Sequence, residues 1–196
     1  MDTSVNRAQF LRRGAAGSLA LVAGGSVLGV VTGAAPAFGQ GVSDTDIAKL
    51  AATAELLAID FYSKAIAAKK FIGDERDYLH QARANERDHY AALAKVLGSA
   101  APKGLSFSYP NGTFSARKRT AKVGVALETA FVGAYLGAVP VLTSNELKGV
   151  AAQIAVSEGQ HLSVFSDIAL GKPVGPSFPK AFSAAAATKA LTPFLA

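Results

Sequence analysis

Six side chains carry the chemistry this sequence could do: Glu55, Glu86, His89, Glu128, Glu158 and His161. Glu86 and His89 form one Glu-x-x-His pair, and Glu158 and His161 form a second. A step of three residues puts both members of each pair on one face of a helix. Glu55 and Glu128 lie 73 positions apart, Glu86 and Glu158 lie 72 apart, and so do His89 and His161. Tyr62 and Tyr135 join the repeat, each seven residues after the Glu of its own segment. Four ionised carboxylates gathered in an apolar interior are prohibitive without partners, because even one unpaired buried charge costs several kcal/mol. Two divalent cations offset four carboxylates, and two neutral imidazoles complete the donor set. Mixed oxygen and imidazole donors suit iron or manganese, with zinc also compatible.

The elements that must position these groups are four helices. The first starts at Asp44 behind a Ser43 cap, runs to Lys69-Lys70 and closes at Gly73; the second spans Asp74 to Gly98. The third starts near Ser115 and stops around Pro140, and the fourth opens on the capping box Thr143-Ser144-Asn145-Glu146 and ends at Gly171. Their inward stripes read Ala52, Glu55, Ile59, Tyr62, Ile66; then Leu79, Ala82, Glu86, His89, Leu93, Val96; then Val125, Glu128, Val132, Tyr135, Val139; then Leu147, Ala151, Ile154, Glu158, His161, Phe165, Ile168. Each stripe has a carboxylate in its middle, and none has a Lys or Arg. Short turns at Gly73 and at Pro140–Thr143 make two antiparallel hairpins. The 16 residues Ser99–Phe114 between them reach about 50 Å when extended, against about 37 Å for a 25-residue helix. The expected fold is therefore all-α: a four-helix bundle of two hairpins joined by one long crossover.

The domain plan is a leader over residues 1–37, a linker over 38–42, the bundle over 43–171, and a Pro-containing tail over 172–196 with a short helix at Ser183–Leu191. The leader has a basic start (Arg7, Arg12, Arg13), an apolar Gly-rich run from Gly14 to Gly33 and a small-x-small end at Ala35-Pro36-Ala37. That is a secretory signal, which predicts a periplasmic or extracellular protein with no stable membrane anchor after cleavage. Asn6-Arg7-Ala8-Gln9-Phe10-Leu11-Arg12 resembles a twin-arginine (Tat) leader, departing from it at Ala8, where the second Arg belongs. The chain has no Cys, which excludes disulfides, thiolate metal sites and iron–sulfur clusters. Its one Met is Met1, so no Met is left for haem ligation in a mature chain. The formal charge of +6 falls to a mild excess once the leader is set aside, and no nucleic-acid partner follows from it.

Glu, then Glu-x-x-His, then Glu, then Glu-x-x-His on four successive helices is similar to the di-metal carboxylate signature of the ferritin-like superfamily. Over residues 43–170 the chain most resembles the exported ferritin-like domain proteins grouped with desiccation-related proteins. The resemblance implies that Glu86 and Glu158 bridge two metals, that Glu55 with His89 and Glu128 with His161 sit terminally, and that Tyr62 and Tyr135 hydrogen-bond the carboxylates, as in rubrerythrin-like proteins. It also implies an oxidoreductase acting on peroxide, oxygen or ferrous iron through two Fe or two Mn ions, with a homodimer left open. The alternative is a non-enzymatic envelope protein for stress or desiccation that keeps the fold. Plainer readings go to the remaining groups. Tyr62 and Tyr135 could be core aromatics, Tyr90 packs, and His80 is a surface residue. Arg117, Lys118, Arg119 and Lys122 form a solvated face, and Gly124, Gly133 and Gly137 allow close helix approach. Gly159 leaves room beside the metals or is simply tolerated.

Overall fold

The computed structural model describes residues 42–196; the expected leader and nearly all of the linker lie outside them. Four long helices follow: α1 (Asp44–Ala67), α2 (Asp74–Leu97), α3 (Arg117–Ala138) and α4 (Asn145–Leu170), with a short α5 (Ala184–Leu191) in the tail. The described residues contain no strand, only the single bridge between Phe107 and Leu195.

Local chemistry sets the ends. The Ser43 hydroxyl accepts from the Asp46 N–H at 3.1 Å and starts α1. That helix stops at Ala67, earlier than Lys69-Lys70, because Lys69 itself takes the left-handed turn at φ 54°; Gly73, also at φ 54°, opens α2 rather than closing α1. At α4 the expected capping box is not the cap. Ser144 caps by accepting from the Leu147 N–H at 3.3 Å, while Thr143 is drawn away to Asp44, its hydroxyl donating at 2.8 Å. The third helix begins two residues late, behind a 3-10 turn at Thr113–Ser115 pinned by the buried Thr120 hydroxyl, which donates to Thr113 O at 3.0 Å.

These contacts also establish the topology. Asp44, in the first turn of α1, accepts from the N–H groups of Thr143 and Ser144, each at 2.8 Å, at the threshold of α4. At the other end Arg117 of α3 donates through Nε to Glu75 of α2 at 2.6 Å. So α1 and α4 start together, α2 and α3 start together, and the crossover runs the length of the bundle as its reach allowed. It is anchored on α1, where the Tyr109 hydroxyl donates to Asp60 at 2.8 Å, and on α2, where Tyr90 donates to Pro102 O at 2.8 Å.

The core falls into two apolar clusters, one holding Leu57, Phe61, Leu79, Phe131 and Phe165, the other Ile47, Leu93, Leu142, Leu147 and Ile154. The carboxylate positions lie between them along α2 and α4. Most stripe residues face inward. Val96 does not: it is 50% exposed and Leu97 takes its place in the core.

The glycines of α3 do two different jobs. A Cβ on Gly124 would sit 2.6 Å from the Phe165 ring, which is close helix approach as expected. Gly133 and Gly137 instead admit the tail. The Phe182 N–H donates to Gly133 O at 2.7 Å, and a Cβ on Gly137 would lie 1.8 Å from Phe182 O. Beyond that contact Ser183 caps α5, which buries Ala187 and Leu191 against the bundle. The C-terminus then meets the crossover, Ser108 N–H donating to Phe194 O at 2.8 Å. Residues 172–181 are exposed, and it is α5 that joins the tail to the core.

Gly137→Ala forces a methyl against the Phe182 backbone, so it should cost about 1–3 kcal/mol and expose the segment after Lys172 to protease while helices α1 to α4 persist by circular dichroism. Gly149→Ala, where nothing lies within 4 Å of the new methyl, should instead stabilise by about 0.5–1 kcal/mol on helix propensity. Asp44 is held below the usual carboxylate range, chiefly by the Thr143 N–H bond. A depressed carboxyl stabilises the fold above its unfolded pKa and loses that contribution as pH falls through its folded value. Asp44→Asn should therefore cost about 1 kcal/mol at neutral pH, and the gap between the two urea melts should close as the solution is acidified.

Candidate metal centre

Each of the four long helices delivers its carboxylate to the same layer. Glu55, Glu86, Glu128 and Glu158 are all buried, as is His161; the His89 side chain is 14% exposed. The six residues of the sequence pattern are thus brought together, and His80 is exposed and apart from them.

Two overlapping donor sets result. One is Glu55, Glu86, His89 and Glu158; the other is Glu86, Glu128, Glu158 and His161; within each set the ligand atoms lie within 4.8 Å of one another. Glu86 and Glu158 belong to both. Glu86 turns Oε2 to His89 Nδ1 at 3.2 Å and Oε1 to His161 Nδ1 at 2.9 Å. Glu158 does the same with the oxygens exchanged, Oε1 to His89 at 3.2 Å and Oε2 to His161 at 3.1 Å. Glu55 Oε2 faces His89 at 3.4 Å.

The donor set fits cations better than it fits itself. His89 Nδ1 meets three carboxylate oxygens and could offer one hydrogen to one of them. Among the described residues, five buried side-chain atoms make no well-aligned hydrogen bond, and four are Glu55 Oε2, Glu86 Oε1, Glu128 Oε2 and Glu158 Oε1, although imidazole nitrogens lie near three of these oxygens. Each such oxygen costs its full desolvation unless something positive faces it. Electrostatics carry the same message. Burial and the Glu158 charge push Glu86 and Glu128 well above the usual carboxylate range. Burial alone would lower both imidazoles, yet hydrogen bonds to the surrounding carboxylates, with their charges, win and raise them, His89 to about 12. Burial would likewise raise Glu158, but the two histidines overcome it and hold it at about 2. The layer is short of positive charge and draws it from any source.

The tyrosines are not plain core aromatics. The Tyr62 hydroxyl on α1 donates to Glu128 Oε1 on α3 at 2.6 Å, and the Tyr135 hydroxyl on α3 donates to Glu55 Oε1 on α1. The exchange is reciprocal, and in each case it leaves the other oxygen of the carboxylate as the one without a well-aligned hydrogen bond. Burial, reinforced by the adjacent Glu, raises both hydroxyls far above the ordinary phenol value, so both stay protonated donors.

Two neighbours escaped the sequence reading. Tyr78 places its hydroxyl 3.2 Å from that of Tyr62 and 3.3 Å from His161 O. Asn85 places its amide 3.2 Å from His161 Nε2, the ring nitrogen away from the carboxylates. Both sit on the flank of the α2 stripe, at helical spacing from Ala82 and His89. The 72-residue repeat hid them, since it sets Val150 and Ser157 at the matching positions of α4. Gly159 has open space where a side chain would go, so close packing does not require glycine there.

Tyr62→Phe and Tyr135→Phe each strip a buried carboxylate oxygen of its only donor. Each should lower the stability of the metal-free chain by about 1–3 kcal/mol in chemical melts. Each should also weaken uptake of a divalent metal, on the order of 10–100-fold by titration. Equal melts and equal affinities would return the tyrosines to simple packing.

No curated protein matches the chain. The family described as ferritin-like domain matches residues 43–170, the stretch that holds all four long helices and the six converging residues. The chain belongs to the ferritin-like domain family.

Proposed function

We propose that this chain is an exported ferritin-like protein that holds two iron or two manganese ions and uses them for redox chemistry on peroxide, dioxygen or ferrous iron. The observation carrying this reading is the shared pair: Glu86 and Glu158 each present one oxygen to the His89 side and the other to the His161 side. Glu86 and Glu158 would hold both ions, Glu55 with His89 one of them, and Glu128 with His161 the other. Oxygen and imidazole donors favour iron or manganese, with zinc as the redox-silent option. Bound there, the pair of ions would supply electron exchange with a small oxidant; the protein contributes position, charge and exclusion of water.

The chain's own residues divide that work. Four carboxylates balance two divalent charges, so both imidazoles can serve as neutral donors. Tyr62 and Tyr135 each occupy one oxygen of a terminal carboxylate and leave its other oxygen aimed into the layer. The apolar clusters on either side keep bulk water out. His89, the one member of the set with an exposed edge, marks where a small solute reaches the layer. Without Cys the electrons for turnover come from a separate donor. The basic, apolar and small-residue zones of residues 1–37 support export, the likeness of residues 6–12 to a twin-arginine motif, with Ala8 in place of the second Arg, favours the Tat route, and among the described residues no helix is long and apolar enough to cross a membrane.

One observation favours the rival, a non-enzymatic envelope protein of the stress or desiccation type. His89 Nδ1 lies 3.2 Å from Glu86 and His161 Nδ1 lies 3.1 Å from Glu158, so part of the layer closes on its own hydrogen bonds. Metal analysis separates the two. Protein purified after native export should carry about two Fe or Mn per chain and should melt lower once chelated, because a metal bound only by the folded state stabilises it. Glu86→Ala should abolish peroxide consumption or ferrous oxidation while the helical spectrum remains. A chain free of transition metal and indifferent to chelator would hand the function to the rival; a metal-loaded wild type with neither activity would leave a metal-stapled structural protein.

A further inference from the structure

Beside the carboxylate layer lies an apolar pocket of about 30 Å³ between α1 and α3, partly open to solvent where Ala51 and Ala134 are half-buried, with Ala54 and Ala138 completing its facing walls. It exists because alanines stand where larger residues would have closed the core. Helix ends and tail complete it, Leu147 from α4 and Leu191 from α5 among them. No lining residue is charged, and the only polar side-chain group in the walls is the Tyr135 hydroxyl, which is already donated to Glu55. A buried water needs about 2–4 polar partners, and apolar cavities that offer none stay dry and take up apolar guests such as xenon. The space is also small: by the same measure of roughly 10–15 Å³ per water, it has room for a diatomic molecule.

Position gives this cavity its meaning. The Tyr135 ring is part of its wall, while the hydroxyl at the far end of that ring holds Glu55 in the donor set. Ala54, on the opposite wall, precedes Glu55 in the chain. A guest here lies against the residue whose hydroxyl holds Glu55.

We propose that this cavity is a holding site for dioxygen, a small apolar molecule taken in preference to peroxide, which would bring donors and acceptors that these walls cannot satisfy. The proposal rests on the metal-centre reading for its use but not for its existence, and it favours dioxygen as the oxidant among those left open above.

Xenon tests the site itself. Crystals of the purified chain under xenon pressure should show the gas among Ala51, Ala54, Ala134 and Ala138, and Ala51→Leu should remove it. Ala134→Val is a second filling variant, should the first disturb the fold. The role is tested by rapid mixing of the reduced, metal-loaded chain with dioxygen and, separately, with hydrogen peroxide: filling should lower the ratio of the two oxidation rates severalfold. An empty cavity under xenon overturns the site, as does density for an elongated apolar molecule carried through purification. A rate ratio unchanged in both variants overturns the role. If the chain takes up no metal, the metal-centre reading falls, while the xenon result still decides whether the cavity binds apolar gas.

Discussion

Four carboxylates converge in a layer bounded by apolar side chains, and the arrangement of the rest of the chain follows from making that tolerable. Left alone, the layer would repel itself and forgo hydration on every oxygen. The structure meets part of the cost with hydrogen bonds: Tyr62 serves Glu128, Tyr135 serves Glu55, and each imidazole lies against the carboxylate three residues before it. Four oxygens remain without a well-aligned hydrogen bond. They are the oxygens that two overlapping donor sets would turn toward cations, so the electrostatic deficit and the proposed function are the same feature seen from two sides.

That layer also explains what the helices have to do. Carboxylates on four separate helices meet only if the helices are in register, and the contacts between helix ends hold that register. Asp44 ties the start of α1 to the start of α4, and Arg117 ties α3 to Glu75 at the start of α2. An Arg in the first turn of α3 runs against the helix dipole; its pairing across to an acidic first turn accounts for the position. The tail adds a further brace. By seating Phe182 on Gly133 and Gly137 it fixes α3 beside Tyr135, and its last residues pair with the crossover that returns the chain to the proper end.

Much of this was legible in the sequence because it rests on periodicity and charge. Helical spacing and the burial cost of acids led directly to Glu55, Glu86, His89, Glu128, Glu158 and His161, and the length of Ser99–Phe114 implied the crossover. What escaped was set by contacts distant in the chain. Nothing local to Thr143 says that Asp44, 99 residues away, will claim it and leave Ser144 as the cap. Gly133 and Gly137 read as helix-contact glycines until the tail is seen lying on them. Val96 and Leu97 compete for one inward slot, and Leu97, four residues after the buried Leu93, takes it. Tyr78 and Asn85 were missed for the opposite reason, since the repeat that exposed the six residues has no place for side chains found in only one hairpin.

Those unpaired neighbours give two matching half-sites unequal surroundings. Around Glu128 and His161 the structure is closed: His161 is buried, Asn85 meets its outer nitrogen, and Tyr78 extends the Tyr62 hydroxyl bond outward. Around Glu55 and His89 it is more open. His89 keeps an exposed edge, and the alanine-walled cavity lies against Tyr135, the residue that holds Glu55. The Glu55 half thus has a polar exposed edge at His89 and an apolar pocket against Tyr135, whereas the Glu128 half is enclosed by side chains that hydrogen-bond among themselves. Ions held in such a frame would not be equivalent even with equivalent donors: one would face the reactant and the other would be screened from it. The duplicated donor pattern supplies the symmetry that charge balance needs, and the residues outside the repeat supply the asymmetry that a directed reaction needs.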